Sequence, residues 1–76
     1  MTDLIAYLVR NLVDHPDSVE IHKVAGDKAE VYEVKVRSED LGKVIGKHGR
    51  TIRSVRTLVA AAANRSGKRV MVEVVE

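Results

Sequence analysis

Apolar residues recur at helical spacing over residues 3–14, at Leu4, Ile5, Leu8, Val9, Leu12 and Val13, and predict an amphipathic helix. Thr2 or Asp3 can cap its start. Asp14-His15-Pro16-Asp17 ends it, because Pro16 disfavours helical backbone at His15 and removes a donor. His15 is read as a turn residue and Tyr7 as a packing residue of the helix. Residues 18–25 carry Val19, Ile21 and, beyond an out-of-phase Lys23, Val24-Ala25, which predicts a short strand. Gly26-Asp27-Lys28 makes a turn. Residues 29–37 set Val31, Tyr32, Val34 and Val36 among Glu30, Glu33, Lys35 and Arg37, a second strand. Two strands across a Gly-Asp turn form an antiparallel hairpin, and the alternating polar positions, His22 among them, keep one face wet.

Ser38-Glu39-Asp40 signals a helix start, with Ser38 as the cap and two acids at the positive end of the dipole. That helix is short, residues 39–45, because Gly46 and Gly49 interrupt it. A third helix over residues 50–65 buries a stripe of Ile52, Val55, Val59, Ala62 and Ala63, and Asn64, Ser66 and Gly67 end it. The β-branched run of residues 69–75 is a final strand. The order is αββααβ. The long connection through two helices makes the second and third strands parallel neighbours with a right-handed crossover. The expected fold class is α+β, three helices packed on one face of a three-stranded mixed sheet, with residues 1–76 as a single domain.

Size and charge sharpen this picture. A chain of 76 residues buries only about 60% of its unfolded surface, so its core is thin and self-association would help it. The absence of cysteine excludes disulfides, cysteine-ligated zinc and thiol catalysis. The acidic start Met1-Thr2-Asp3 does not open a signal peptide. The longest apolar run, residues 58–63, falls far short of the roughly 20 residues that span a bilayer. A cytoplasmic location is expected. The net charge of +2 hides an asymmetry. Residues 1–40 hold five cations against nine acids, whereas residues 41–76 hold eight cations against two acids. No acid occurs between Asp40 and Glu73. Such separation produces a local positive field, or at its plainest a solvated basic helix face.

The centre of that basic half is residues 41–52, where Gly46-Lys47-His48-Gly49 joins two helices. Glycine reaches positive φ without strain and lets backbone approach a ligand closely. N–H groups at the following helix start and the helix dipole favour an anion there. Lys43, Lys47, Arg50 and Arg53 surround the turn, and arginine can grip a phosphate with a fork. A nucleotide P-loop does not fit. Gly42 precedes Gly46-Lys47 by one residue too few, and His48 stands where a magnesium-binding hydroxyl is needed. No carboxylate pair, metal cluster or nucleophile–base set presents itself, so neither enzyme activity nor a cofactor is expected. With no Phe or Trp and only Tyr7 and Tyr32, aromatic base-stacking platforms are absent as well.

The string Val44-Ile45-Gly46-Lys47-His48-Gly49-Arg50-Thr51-Ile52 resembles the signature of the KH domain, and the element order resembles its type II arrangement. Leu12-Val13-Asp14-His15-Pro16, residues 40–50, Ala60-Ala61-Ala62-Ala63 and Lys68-Arg69-Val70 resemble the small stand-alone bacterial KH proteins of the KhpA family, across essentially the whole chain. The resemblance implies single-stranded RNA held in a groove between the glycine loop, which clamps about four nucleotides, and a variable loop, here residues 64–68. The RNA-binding residues it implies are Lys43, Val44, Ile45, Gly46, Lys47, His48, Gly49, Arg50, Arg53, Arg65 and Lys68. Val44 and Ile45 fit either the groove floor or the core, while Ile52 is assigned to the core. His48 is either a donor to phosphate or ribose or a spacer. The resemblance further implies an RNA chaperone or post-transcriptional regulator, self-association, pairing with a larger RNA-binding partner of the KhpB type, and a role in cell elongation and peptidoglycan homeostasis.

The helical wheel suggests a second surface. Thr51, Ser54, Leu58 and Ala61 form a small-residue strip with one exposed leucine, either a subunit contact or the edge of the core. The alternative function is therefore a protein-interaction (dimerisation) domain with a vestigial nucleic-acid groove.

Overall fold

The sheet is built from the predicted hairpin outward. In a computed structural model that describes residues 1–75, the side chain of Ser66 excepted, strands β1 (Glu20–Ala25) and β2 (Ala29–Lys35) pair antiparallel, with Ile21 opposite Val34 and Val24 opposite Val31. Strand β3 (Arg69–Val75) lies parallel to β2 on its other side, so the sheet order is β1-β2-β3 and β2 is central. The long connection is two helices, α2 (Leu41–Ile45) and α3 (Arg50–Ala63). With the N-terminal helix α1 (Thr2–Arg10), they cover one face.

Period-two alternation puts Tyr32, Val34 and Val72 on the covered face, where they join Ile5 and Val9 of α1, Val44 of α2 and Ile52, Val55 and Val59 of α3 in one core. Burying each such Val or Ile side chain stabilises by about 1.5–3 kcal/mol. The α+β class, the element order and the mixed sheet agree with the expectation from sequence. On the open face the register aligns Val24, Val31 and Met71 across all three strands. That face is thus less uniformly polar than alternation suggested.

Three local readings change. Helix α1 stops at Arg10 rather than at residue 14. Asn11 satisfies the Tyr7 carbonyl with its own side chain (Nδ2 to O, 2.7 Å), and Leu12 donates to Val9 at 2.9 Å, tightening the last turn. Tyr7 is 66% exposed, because the buried stripe of α1 is Ile5, Ala6 and Val9. The packed tyrosine is Tyr32, whose hydroxyl donates to Glu30 at 2.9 Å. Ser38 makes no side-chain cap; residues 38–40 form a single 3₁₀ turn that leads into α2.

The third residue of that turn, Asp40, is 1% exposed, the one buried charged side chain among the described residues. Its carboxylate accepts the backbone N–H groups of Asp14 (3.2 Å) and His15 (3.0 Å), and the Lys43 ammonium lies 3.9 Å away. The α1–β1 connection is thereby tied to the start of α2. A buried carboxylate is tolerated only when paired and hydrogen-bonded, and Asp40 has both kinds of partner.

Truncating Asp40 would strand two amide donors. Asp40→Ala is therefore expected to lose about 2–4 kcal/mol, and Asp40→Asn, which keeps one acceptor, about half of that. Urea unfolding followed by circular dichroism checks this. A loss below about 0.5 kcal/mol for Asp40→Ala would mean that the carboxylate does not hold the connection.

Candidate nucleic-acid interface

Helix α2 ends where Gly46 turns to φ 77, ψ 169, with its N–H bonded to the Gly42 carbonyl at 2.8 Å. The two glycines of the loop do different work. A Cβ on Gly46 would come within 2.1 Å of Thr51 Oγ1, so this glycine lets the loop fold against α3. Gly49 adopts φ 71 and a Cβ there would meet nothing within 4 Å, so its surface is open to a ligand. Between them His48 sits in the left-handed region at φ 58, ψ 25. Histidine is among the side chains that tolerate this region best, yet a non-glycine residue held there needs support. Arg53 supplies it, donating from Nη2 to the His48 carbonyl at 2.8 Å.

The loop also consumes part of its own backbone. Gly49 donates to the Gly46 carbonyl at 3.1 Å and Arg50 to the Lys47 carbonyl. The anion site suggested by the start of α3 is thus less rich in N–H groups than expected. No acid lies in the first turn of α3 to oppose an anion.

The candidate binding residues divide accordingly. Lys47, His48 and Arg50 are exposed around the loop, and Lys47 and Arg50 have no ion-pair partner among the described residues. Arg53 is exposed but occupied as the brace of His48. Lys43 is hydrogen-bonded to the Asp14 carboxylate. Val44 is fully buried, so its side chain belongs to the core, whereas Ile45 beside it is 37% exposed. Ile52 is in the core as expected.

Arg65 and Lys68 lie at the far end of α3, a helix of 14 residues and hence about 20 Å long. Lys68 is 3.2 Å from Glu30, whose carboxyl is held below its usual range first by the Tyr32 hydroxyl and then by Lys68. Burial in turn pushes the Tyr32 phenol up. Arg65 is exposed beside them on a concavity of about 550 Å³ shared with Lys23, Glu30 and Lys68. The glycine loop and the 64–68 turn therefore lie at opposite ends of α3.

Beside the middle of α3 lies a groove of about 460 Å³, bounded by Arg56 and Ala60 of α3 and by residues 69–73 of β3. β3 is an edge strand, and Arg56 donates from Nε to the Val72 carbonyl at 3.1 Å. Arg56 was absent from the binding residues read from sequence. Its spacing three residues after Arg53 is the one signal that could have found it, since that puts both on one helix face. Among the described residues no group of three or more His, Cys, Asp or Glu side chains could hold a metal, and no helix is long and apolar enough to cross a membrane.

Comparison with known proteins gives this geometry a family. Residues 2–74 match the family described as KhpA/KhpB, KH domain. An RNA-binding protein KhpA of Chlamydia caviae is 45% identical over 76 residues, covering 100% of this chain and 97% of the relative. One of Caldanaerobacter subterraneus subsp. tengcongensis is 47% identical over 75 residues, covering 99% and 100%. Among solved structures, a crystal structure of an Aquifex aeolicus Era variant bound to GDP and AlF4− superposes with a TM-score of 0.66 at 19% identity. The match covers 95% of this chain but 28% of that one, so it speaks to fold alone. Spanning nearly all of the chain and nearly all of its relatives, the match shows that the chain belongs to the KhpA/KhpB KH-domain family.

Proposed function

We propose that the chain binds single-stranded RNA, gripping its backbone with the Gly46-Lys47-His48-Gly49 loop. The observation that carries this reading is the loop itself. It is an open glycine turn with exposed Lys47, His48 and Arg50 around it and no acid in the following helix turn. Phosphate is the anion that suits point charges and an arginine fork spread along a surface rather than gathered in a pocket. The groove beside β3, with Arg56 on its rim, offers a further stretch of surface to a strand, in keeping with the few nucleotides that such domains hold. Relatives whose names describe RNA-binding proteins support the same reading.

We further propose finer roles, suggested by the resemblance to the family. The protein acts in the cytoplasm as an RNA chaperone or post-transcriptional regulator, with a larger partner of the KhpB type, in cell elongation and peptidoglycan homeostasis. It works without enzymatic activity or a cofactor. It self-associates through Thr51, Ser54, Leu58 and Ala61 of α3. Leu58 is 55% exposed, Ser54 and Ala61 are exposed and Thr51 is half-buried, and the Ser54 hydroxyl turns back to the Arg50 carbonyl at 3.1 Å.

Lys47→Asp with His48→Asp tests the first reading. Aspartate tolerates the left-handed region at position 48, so the fold and its melting temperature should persist. Affinity for a labelled single-stranded RNA should fall by at least about tenfold at low salt, and wild-type log affinity should fall against log salt by about 0.7 per phosphate neutralised. Equal RNA retention by the variant would instead favour a protein-interaction domain with a vestigial groove. Sedimentation of Leu58→Asp tests the strip. The wild type should sediment as the heavier species, and identical masses for two well-folded samples would sink the contact.

A further inference from the structure

Lys43 belongs to α2, the helix that ends in the glycine loop, three residues before Gly46. Its ammonium is not directed to solvent alone. It is hydrogen-bonded to Asp14 Oδ2 and lies 3.9 Å from Asp40 Oδ1. Asp14 stands 29 residues away in sequence, on the α1–β1 connection. The backbone N–H of Asp14 is fixed on the Asp40 carboxylate, so its own carboxylate is held beside Lys43 by the same contact that anchors α2. We infer that Asp14 is an internal competitor of the RNA backbone for Lys43, so that one carboxylate outside the loop sets how many cations the loop offers. This rests on the RNA-binding reading of the loop.

The comparison with Glu30 shows why Asp14 suits this role. Glu30 also ties a cation of the basic half, Lys68, but it serves the buried Tyr32 hydroxyl and lies 3.6 Å from Lys23 as well. Releasing it would leave Tyr32 without its acceptor. Asp14 has no such second duty for its side chain. That side chain is 68% exposed and the Lys43 side chain 46% exposed. Lysine holds the Asp14 carboxyl below its ordinary range, and the carboxylate holds the ammonium above its own, so both are charged at neutral pH. An exposed pair of this kind is weak. While it holds, Lys43 is withheld from an arriving phosphate, so the wild type makes one phosphate contact fewer than a protein with an unoccupied lysine and binds less tightly.

Asp14→Asn preserves the backbone N–H that Asp40 accepts and removes the competing charge. With a short fluorescent single-stranded RNA of mixed sequence, the variant should bind about two- to fivefold more tightly than wild type. Its salt dependence should steepen by about 0.7, the increment for one further phosphate contact. Adding Lys43→Met to Asp14→Asn should erase both gains. Asp17→Asn changes the net charge equally at an exposed acid of the same connection with no ion-pair partner among the described residues, and should give neither. Wild-type binding with no gain in Asp14→Asn overturns the inference. So does a gain that survives Lys43→Met, or one that Asp17→Asn reproduces. Absence of RNA binding by wild type and variant alike overturns the RNA-binding reading itself.

Discussion

The Asp40 carboxylate is the contact on which the placement of the loop depends. It is buried at the start of α2, takes two amide protons from the α1–β1 connection and has Lys43 near it. A short helix such as α2, with five residues, has little stability of its own. Its position comes from the buried Val44 on one side and from Asp40 at its start. Once α2 is fixed, its last residues deliver Gly46 against Thr51, and the turn into α3 follows.

The loop then combines support from within with exposure outward. Arg53 braces the left-handed His48 from the first turn of α3, and the Gly46 and Lys47 carbonyls close the turn on Gly49 and Arg50. These contacts preorganise the backbone, so that less ordering is needed when a ligand arrives. The cations are not equivalent. Lys47 and Arg50 stand open, Arg53 is structural as well as charged, and Lys43 and Lys68 are tied to carboxylates that lie far away in sequence. A count of basic residues therefore overstates the charge immediately offered to a phosphate.

How far this could be read in the chain depends on the range of the interaction. The α3 stripe, apart from Ala62, which is exposed, and the hairpin are set by local periodicity, and the length of the crossover decided that β3 runs parallel to β2. The end of α1 could not be read in the same way. Leu12 and Val13 keep the helical apolar spacing and still pack on the core, but the chain leaves the helix because Asn11 and Asp40 capture its polar groups. The glycine loop was legible as a motif, whereas the reason for each glycine was not. Gly46 answers to Thr51 of the next helix, and Gly49 to open space. Pairings such as Lys43 with Asp14, 29 residues apart, and Lys68 with Glu30, 38 apart, exist only once the fold has formed.

On the proposed reading, single-stranded RNA lies on the face running from the glycine loop along α3 and β3. Backbone amide shifts of isotope-labelled protein, followed as unlabelled single-stranded RNA is titrated in, test it residue by residue. Saturable changes are expected at Gly46, Lys47, His48, Gly49 and Arg50, continuing through Arg56 to Val70 and Val72, with the Arg53 side chain retaining its bond to His48. Changes confined to Thr51, Ser54, Leu58 and Ala61, or an unperturbed glycine loop at saturating RNA, would contradict it.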